Sequence, residues 1–226
     1  VIKMGEDPNK VHITGCPSID LANRVLNEGF DEFNPFKLMQ KGTGEKFDPS
    51  QDFLIVMQHP VTTEFYDSFD QINQTLKAIH KLKIPTFWFW PNVDAGSDKI
   101  SKGIRVFREK NKIPFIHFFK NMAPEDFLKL LIKGKCLIGN SSTGIRECSY
   151  LGIPVVNIGD RQKGRLRGDN VMDVGYNCAE IIKAINNQLN NGKYPRNPIY
   201  GDGKAGEKIA ELLATLNFSI EKKITY

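Results

Sequence analysis

Cys136-Leu137-Ile138-Gly139-Asn140-Ser141-Ser142-Thr143-Gly144-Ile145-Arg146-Glu147 is the stretch on which the fold turns. A short apolar run, Cys136 to Ile138, gives way to a polar turn of small residues, and helical spacing then sets in from Thr143 to Tyr150. A strand that passes into a helix through such a turn is the repeating unit of an open parallel sheet. The turn Ser141-Ser142-Thr143-Gly144 also lets an anion approach backbone N–H groups where a helix begins. The helix dipole contributes only about 0.3 to 1 kcal/mol there, so charge-assisted hydrogen bonds of about 1.5 to 3 kcal/mol each must supply most of the grip on a phosphate.

Working outward, the same unit recurs. Short apolar runs at Val11 to Ile13, Phe53 to Met57, Thr86 to Trp90, Phe115 to Phe118, Val155 to Ile158 and Val171 to Val174 read as further strands. Ser68 to Leu82, Lys99 to Lys110 and Pro124 to Ile132 have helical composition and spacing between them. Strands alternating with helices predict an α/β fold built on a doubly wound, Rossmann-like parallel sheet. Leu21 to Gln51 is poorer in strand signals and holds Gly29, Pro35, Gly42, Gly44 and Pro49, which places a boundary there. The expected organisation is residues 1–28 as the end of a preceding domain with its linker, 29–51 as boundary, 52–190 as the nucleotide-binding domain, and 191–226 as a closing segment with a last helix at Glu207 to Leu216.

Composition narrows the function classes. With 226 residues and 40% hydrophobic content the chain can bury a sizeable core. No apolar run approaches the roughly 20 residues of a membrane helix, so neither membrane nor signal segment is expected. Cys16, Cys136, Cys148 and Cys178 are scattered, which argues against a zinc site or a disulfide framework and suits a reducing cytoplasm. The net charge of +5 comes from mixed acidic and basic residues, the pattern of an ordinary solvated surface rather than a nucleic-acid binder. The opening at Val1 suggests a piece of a longer protein.

Ligands of such sheets sit beyond the carboxyl ends of the strands. His59 follows one run and can contact a phosphate or exchange a proton near neutral pH. Asn92 and Asp94 follow another, Ser141, Ser142 and Gly144 a third, and Arg161 opens the Gly-punctuated basic loop with Lys163, Arg165 and Arg167. A guanidinium fork suits a diphosphate, and Arg161 is expected to face the ligand while the later cations are mostly at the surface. Glu147 can accept two hydrogen bonds from a ribose diol, or else be a solvent-facing acid in a helix's first turn. Gly201-Asp202-Gly203-Lys204-Ala205-Gly206 matches a dinucleotide fingerprint in letters only, because no buried strand precedes it and too little chain follows. Phe87, Trp88, Phe89 and Trp90 read as a packed strand, not a stacking platform.

These segments together resemble the UDP-N-acetylglucosamine 2-epimerases over almost the whole chain. The stretch Ile138 to Glu147 is similar to the family's UDP-binding turn and ribose-binding glutamate, Val11 to Asp20 to the end of its first domain, and Asn197 to Gly203 to its C-terminal signature. His59 is followed by Pro60-Val61-Thr62-Thr63, not by the arginine pair and glutamate of the non-hydrolysing branch, and this resembles the hydrolysing branch. The resemblance implies the C-terminal part of a two-domain, glycosyltransferase-B-like enzyme. By the same resemblance Ser141, Ser142 and Arg161 hold the diphosphate, Glu147 the ribose and backbone near Met122 the uracil, while His59, Asn92 and Asp94 face the β-phosphate and sugar. It further implies a UDP-sugar substrate, no metal or other cofactor, a homodimer or tetramer, and acids and bases for C2 supplied by the first domain. A UDP-sugar glycosyltransferase of the same fold and a non-enzymatic nucleotide-sugar sensor stay open as alternatives.

Overall fold

A strand covered on both faces must be apolar at nearly every position, because successive side chains point to opposite sides. The central runs meet that condition. In the computed structural model, which describes residues 1–217, they form β1 (Leu54–Met57), β2 (Thr86–Phe89), β3 (Ile116–Phe119), β4 (Cys136–Gly139) and β5 (Val155–Ile158), with a less buried β6 (Val171–Val174). The helices are α1 (Pro17–Glu28), α2 (Pro35–Leu38), α3 (Ser68–Leu82), α4 (Ser97–Lys110), α5 (Pro124–Lys133), α6 (Glu147–Leu151), α7 (Cys178–Asn191) and α8 (Ala205–Thr215).

All six strands are parallel, in the order β3-β2-β1-β4-β5-β6. The chain therefore reverses its winding direction between β1 and β4, and that switch point is where a crevice opens at the carboxyl edge. The alternation of side chains splits the core in two. Leu54, Val56, Trp88, Ile116, Phe118, Ile138 and Val156 pack with α3, α4 and α7 on one face. Phe53, Ile55, Phe87, Phe89, Phe119, Leu137 and Val155 pack with α1, α5 and α6 on the other. The edge of β3 is covered by residue 43, since Thr43 and Phe118 exchange N–H···O bonds of 2.9 and 2.8 Å.

Four expectations change. Val11 to Ile13 is not a strand: it lies outside the sheet, and Ile13 is exposed. The segment Thr143 to Tyr150 does not run as one helix; Ser142–Gly144 is a single 3-10 turn and α6 begins only at Glu147, after a non-helical Arg146. Pro17–Glu28, which carried no helical reading, forms α1, with Ile19, Ala22 and Val25 as its buried stripe against α5, α6 and α8. Finally, α7 has no counterpart among the expected helices, although Ile181, Ala184, Ile185 and Gln188 give it a regular buried face.

The fingerprint-like glycines lead into α8, whose first free amides are capped from a distance: Asp20 of α1 accepts from the N–H groups of Ala205 and Gly206 at 2.9 and 2.7 Å. Cys16 N–H donates to the Tyr200 carbonyl beside this cap, where Gly15 and Gly201 pass so closely that a β-carbon on either would come within about 3.2 Å of the other's backbone. Residues 218–226 of the expected closing segment lie outside the described residues.

Candidate functional site

The switch point is shaped by Gly139. At φ +131° a β-carbon there would sit 2.0 Å from the Met57 carbonyl oxygen, so only glycine lets β4 bend this close against β1 at this height. Asn140 comes next, fully buried, and its carboxamide bridges the gap: Oδ1 accepts from the His59 N–H at 2.7 Å and Nδ2 donates to the His59 carbonyl at 2.8 Å. Gln58 is fixed from the other side by the Thr75 hydroxyl of α3, which donates to its Oε1 at 2.6 Å.

His59 is thereby held over the crevice. Its Nδ1 accepts the Asn92 N–H at 3.1 Å, so the neutral ring carries its proton on Nε2. Burial first, and then the Arg161 guanidinium, push its pKa down to about 4, against the opposing pull of Asp94. The imidazole is therefore uncharged at neutral pH and acts as a hydrogen-bond donor. Asp94 accepts from both the Asn92 amide and Arg161 Nη2, the latter at 3.3 Å, and Arg161 Nη1 reaches the Asn140 carbonyl at 3.4 Å.

The basic loop is anchored, not loose. Gln162 is buried and donates to the Asn140 carbonyl at 2.8 Å. Arg165 donates to the Gln162 side chain, and Arg167 donates to the Gln162 carbonyl and to both oxygens of Asp173. Lys163 and Arg165 are exposed, and Arg167 is half-buried against Asp173, so the cations after Arg161 lie mostly at the surface. Asn140 and Gln162 were not singled out from the sequence, because nothing in it tells which strands are neighbours.

Ser141 caps the turn after β4, its Oγ accepting from the Thr143 N–H at 3.3 Å. Gly144 N–H is committed to the Ser141 carbonyl, and a β-carbon at Gly144 would meet Val155 at 2.9 Å, so this glycine serves close packing onto β5. Glu147 is not a solvent-facing acid. As the first residue of α6 it is 7% exposed, with Oε1 3.4 Å from Arg146 Nη2 and Oε2 buried without a partner. An unpartnered buried oxygen costs about 1 to 3 kcal/mol, and more when charged. Asn92 Oδ1, Arg146 Nε and the Tyr176 hydroxyl are unpartnered in the same way on neighbouring segments. Met122 follows β3 at the same edge, two strands from β1, and its N–H is occupied by the Asn121 side chain at 2.9 Å. The structure thus joins His59, Asn92, Asp94 and Arg161 by direct contacts, carries Ser141, Ser142 and Glu147 on the connection that follows β4, and leaves Met122 apart.

Residues 1–214 match the sequence profile of the UDP-N-acetylglucosamine 2-epimerases. The chain belongs to that family. Among similar 2-epimerases, the UDP-N,N'-diacetylbacillosamine 2-epimerase (hydrolyzing) of Legionella pneumophila is 29% identical over 96% of this chain and 54% of its own length. The UDP-N-acetylglucosamine 2-epimerase of Neisseria meningitidis is 28% identical over 99% of this chain and 57% of its own. The chain therefore spans about half the length of these relatives. The solved 2-epimerase of Methanocaldococcus jannaschii, in complex with UDP-GlcNAc and UDP, superposes with a TM-score of 0.70 at 18% identity, covering 94% of this chain and 57% of that one. The fold is accordingly half of the 2-epimerases' glycosyltransferase-B-like architecture. Among the described residues, no helix is long and apolar enough to cross a membrane, and no cluster of three or more His, Cys, Asp or Glu side chains is placed to hold a metal ion.

Proposed function

We propose that this chain is the UDP-binding half of a hydrolysing 2-epimerase that converts UDP-N-acetylglucosamine, or a close UDP-sugar relative, into UDP and a free ManNAc-type sugar for sialic or related nonulosonic acid synthesis. The observation that carries the reading is Glu147: a buried carboxylate with one unpartnered oxygen, at the start of α6 on the connection that opens with Ser141 and Ser142, is matched by a ribose diol. Ser141, Ser142 and Arg161 then hold the diphosphate, and His59 donates from Nε2 to the β-phosphate with Asn92 and Asp94 beside the sugar. The uracil lies toward Met122, where the Asn121 side chain must yield the N–H or leave recognition to the carbonyl. The hydrolysing relatives and the Pro60-Val61-Thr62-Thr63 sequence after His59 support this branch.

The reaction removes the C2 proton as the C1–O bond to UDP breaks, leaving a glycal. Water then adds its hydroxyl at C1, and a proton enters C2 from the opposite face. This chain's donors neutralise the charge that grows on the departing β-phosphate oxygen, which is electrostatic stabilisation of the leaving group. The base and acid at C2 come from the other half of the enzyme, which also closes the cleft against bulk water. The same reading makes the complete enzyme a cytoplasmic homodimer or tetramer.

The test joins this chain to the first-domain half that its relatives carry and supplies UDP-N-acetylglucosamine in deuterated water. Release of UDP and a free 2-epimer with deuterium at C2 is expected, and this chain alone turns nothing over. A 2-epimer still bound to UDP would assign the non-hydrolysing branch. Transfer to an acceptor with C2 untouched would assign a glycosyltransferase.

A further inference from the structure

Neighbouring strands stay aligned as far as their ladder of N–H···O bonds extends, and the β1–β4 ladder ends where Met57 faces Gly139. Beyond that point Gly139, at φ +131°, bends β4 hard against the Met57 carbonyl, which accepts the Asn140 N–H at 3.1 Å, and the His59 N–H and carbonyl are met by a side chain instead of the β4 backbone. The Asn140 carboxamide has the donor and acceptor of a peptide unit, and it supplies both bonds in place of the missing backbone. Its own N–H is occupied by the Met57 carbonyl, which leaves its carbonyl for the basic loop. The Asn140 carbonyl accepts from Gln162 at 2.8 Å and from Arg161 at 3.4 Å, which ties the basic loop after β5 to the same residue.

We infer that Asn140 is a positioning residue that sets the separation of His59 and Arg161, so that both address the second phosphate of the nucleotide. The inference rests on the UDP site proposed above and goes beyond it by assigning a role to a residue that touches no ligand. Three features support it. Asn140 has no solvent exposure, so its five hydrogen bonds at this node face no competition from water. The two groups it fixes come from different strands, β1 and β5, which are not neighbours in the sheet and meet only through β4. The proximity of Arg161 is also felt by the His59 ring, whose pKa is lowered first by burial and then by that guanidinium.

The test titrates uridine, UMP and UDP into this chain and into its Asn140→Ala and Gln162→Leu variants. Asn140→Ala is expected to weaken UDP roughly tenfold or more, the scale of one charge-assisted hydrogen bond, while uridine and UMP change less than about threefold. Gln162→Leu breaks the loop's tie without touching β1 and gives the same pattern at smaller size. Loss of UDP and uridine affinity in equal proportion, or unchanged UDP affinity in a folded variant, overturns the inference. Should Asn140→Ala not fold, an unchanged UDP-to-UMP ratio in Gln162→Leu overturns it alone. Should the wild-type chain bind neither UDP nor uridine, the proposed function fails, and the His59 imidazole titrated by NMR decides the positioning role separately. In the wild type the ring stays neutral to about pH 4, and in Gln162→Leu or Asn140→Ala it titrates higher as Arg161 drifts away, burial keeping it below the ordinary 6.5. An identical titration in wild type and variants overturns the inference.

Discussion

The two edges of the sheet are both rich in polar side chains, yet they are built on opposite rules. At the amino edge a cavity of about 670 Å³ is lined by Phe53, Lys83, Lys133, Lys135 and Lys193. Those lysines stand where α3, α5 and α7 end, which is where a helix dipole welcomes cations, and the Lys135–Asp52 pair at 3.1 Å is largely solvated. Helix stability explains them without a ligand. At the carboxyl edge Asn140 and Gln162 are buried and tie His59 and Arg161 together, and Glu147, also buried, keeps one carboxylate oxygen without a partner. Charge alone would have favoured the amino edge as a binding site; burial and hydrogen-bond satisfaction favour the carboxyl edge.

The largest expected effect breaks the carboxyl edge outright. Gly139→Ala places a methyl group against the Met57 carbonyl and forces a positive φ on a side-chain-bearing residue, so it should cost about 4 kcal/mol or more, read as a steep fall in Tm. A Tm within a few degrees of wild type would mean that the strand ends are not locked there.

Next comes the acid dependence of His59. Because its folded pKa of about 4 lies below the ordinary 6.5, the unfolded chain takes up the proton first as pH falls. Stability due to this group is complete above 6.5, declines between 6.5 and about 4, and amounts to about 3 kcal/mol in all. His59→Asn should flatten that part of the stability profile in denaturant titrations at several pH values, and an unaltered slope would contradict the buried neutral ring.

Glu147→Gln sharpens the contrast between binding and folding. UDP affinity should fall by about 1.5 to 3 kcal/mol, the scale of hydrogen bonds to a charged acceptor. The Tm should hold or rise, because the variant removes a buried, incompletely paired charge. A lower Tm with undiminished UDP affinity would make Glu147 a structural residue.

The smallest effect belongs to the amino edge. Lys135→Ala should change stability by less than about 1 kcal/mol and leave UDP binding as it was, since its ion pair is exposed. A selective loss of nucleotide affinity there would shift the site to the opposite end of the sheet.

The sequence made the strands legible because burial on both faces leaves near-continuous apolar runs, and Phe53 to Met57 or Val155 to Ile158 permit little else. The residues after those runs were legible as a set for the same reason. Strand order was not, and with it went the adjacency of His59 to Asn140 and of Arg161 to Asp94, which depends on contacts 81 and 67 residues apart. The burial of Glu147 was hidden by a break in helical winding at Arg146 that composition does not encode. Helix α1 was obscured by the Gly and Pro residues around it, and α7 by the amides Asn186, Asn187, Gln188, Asn190 and Asn191, which dilute its apolar stripe although Gln188 turns inward to bond the Val155 and Asn170 carbonyls.

The central claim is that the β1–β4 crevice is a site for UDP. Calorimetric titration of this chain with UDP, AMP and NAD tests it most directly, with thermal unfolding of the same samples as the second readout. UDP should bind with one-to-one stoichiometry. At about a hundred times its Kd it should add about 2.7 kcal/mol, a rise in Tm of roughly 5 to 10 °C for a chain of this size, while AMP and NAD give far less. No heat and no shift with UDP, or an equal response to AMP, would contradict the account.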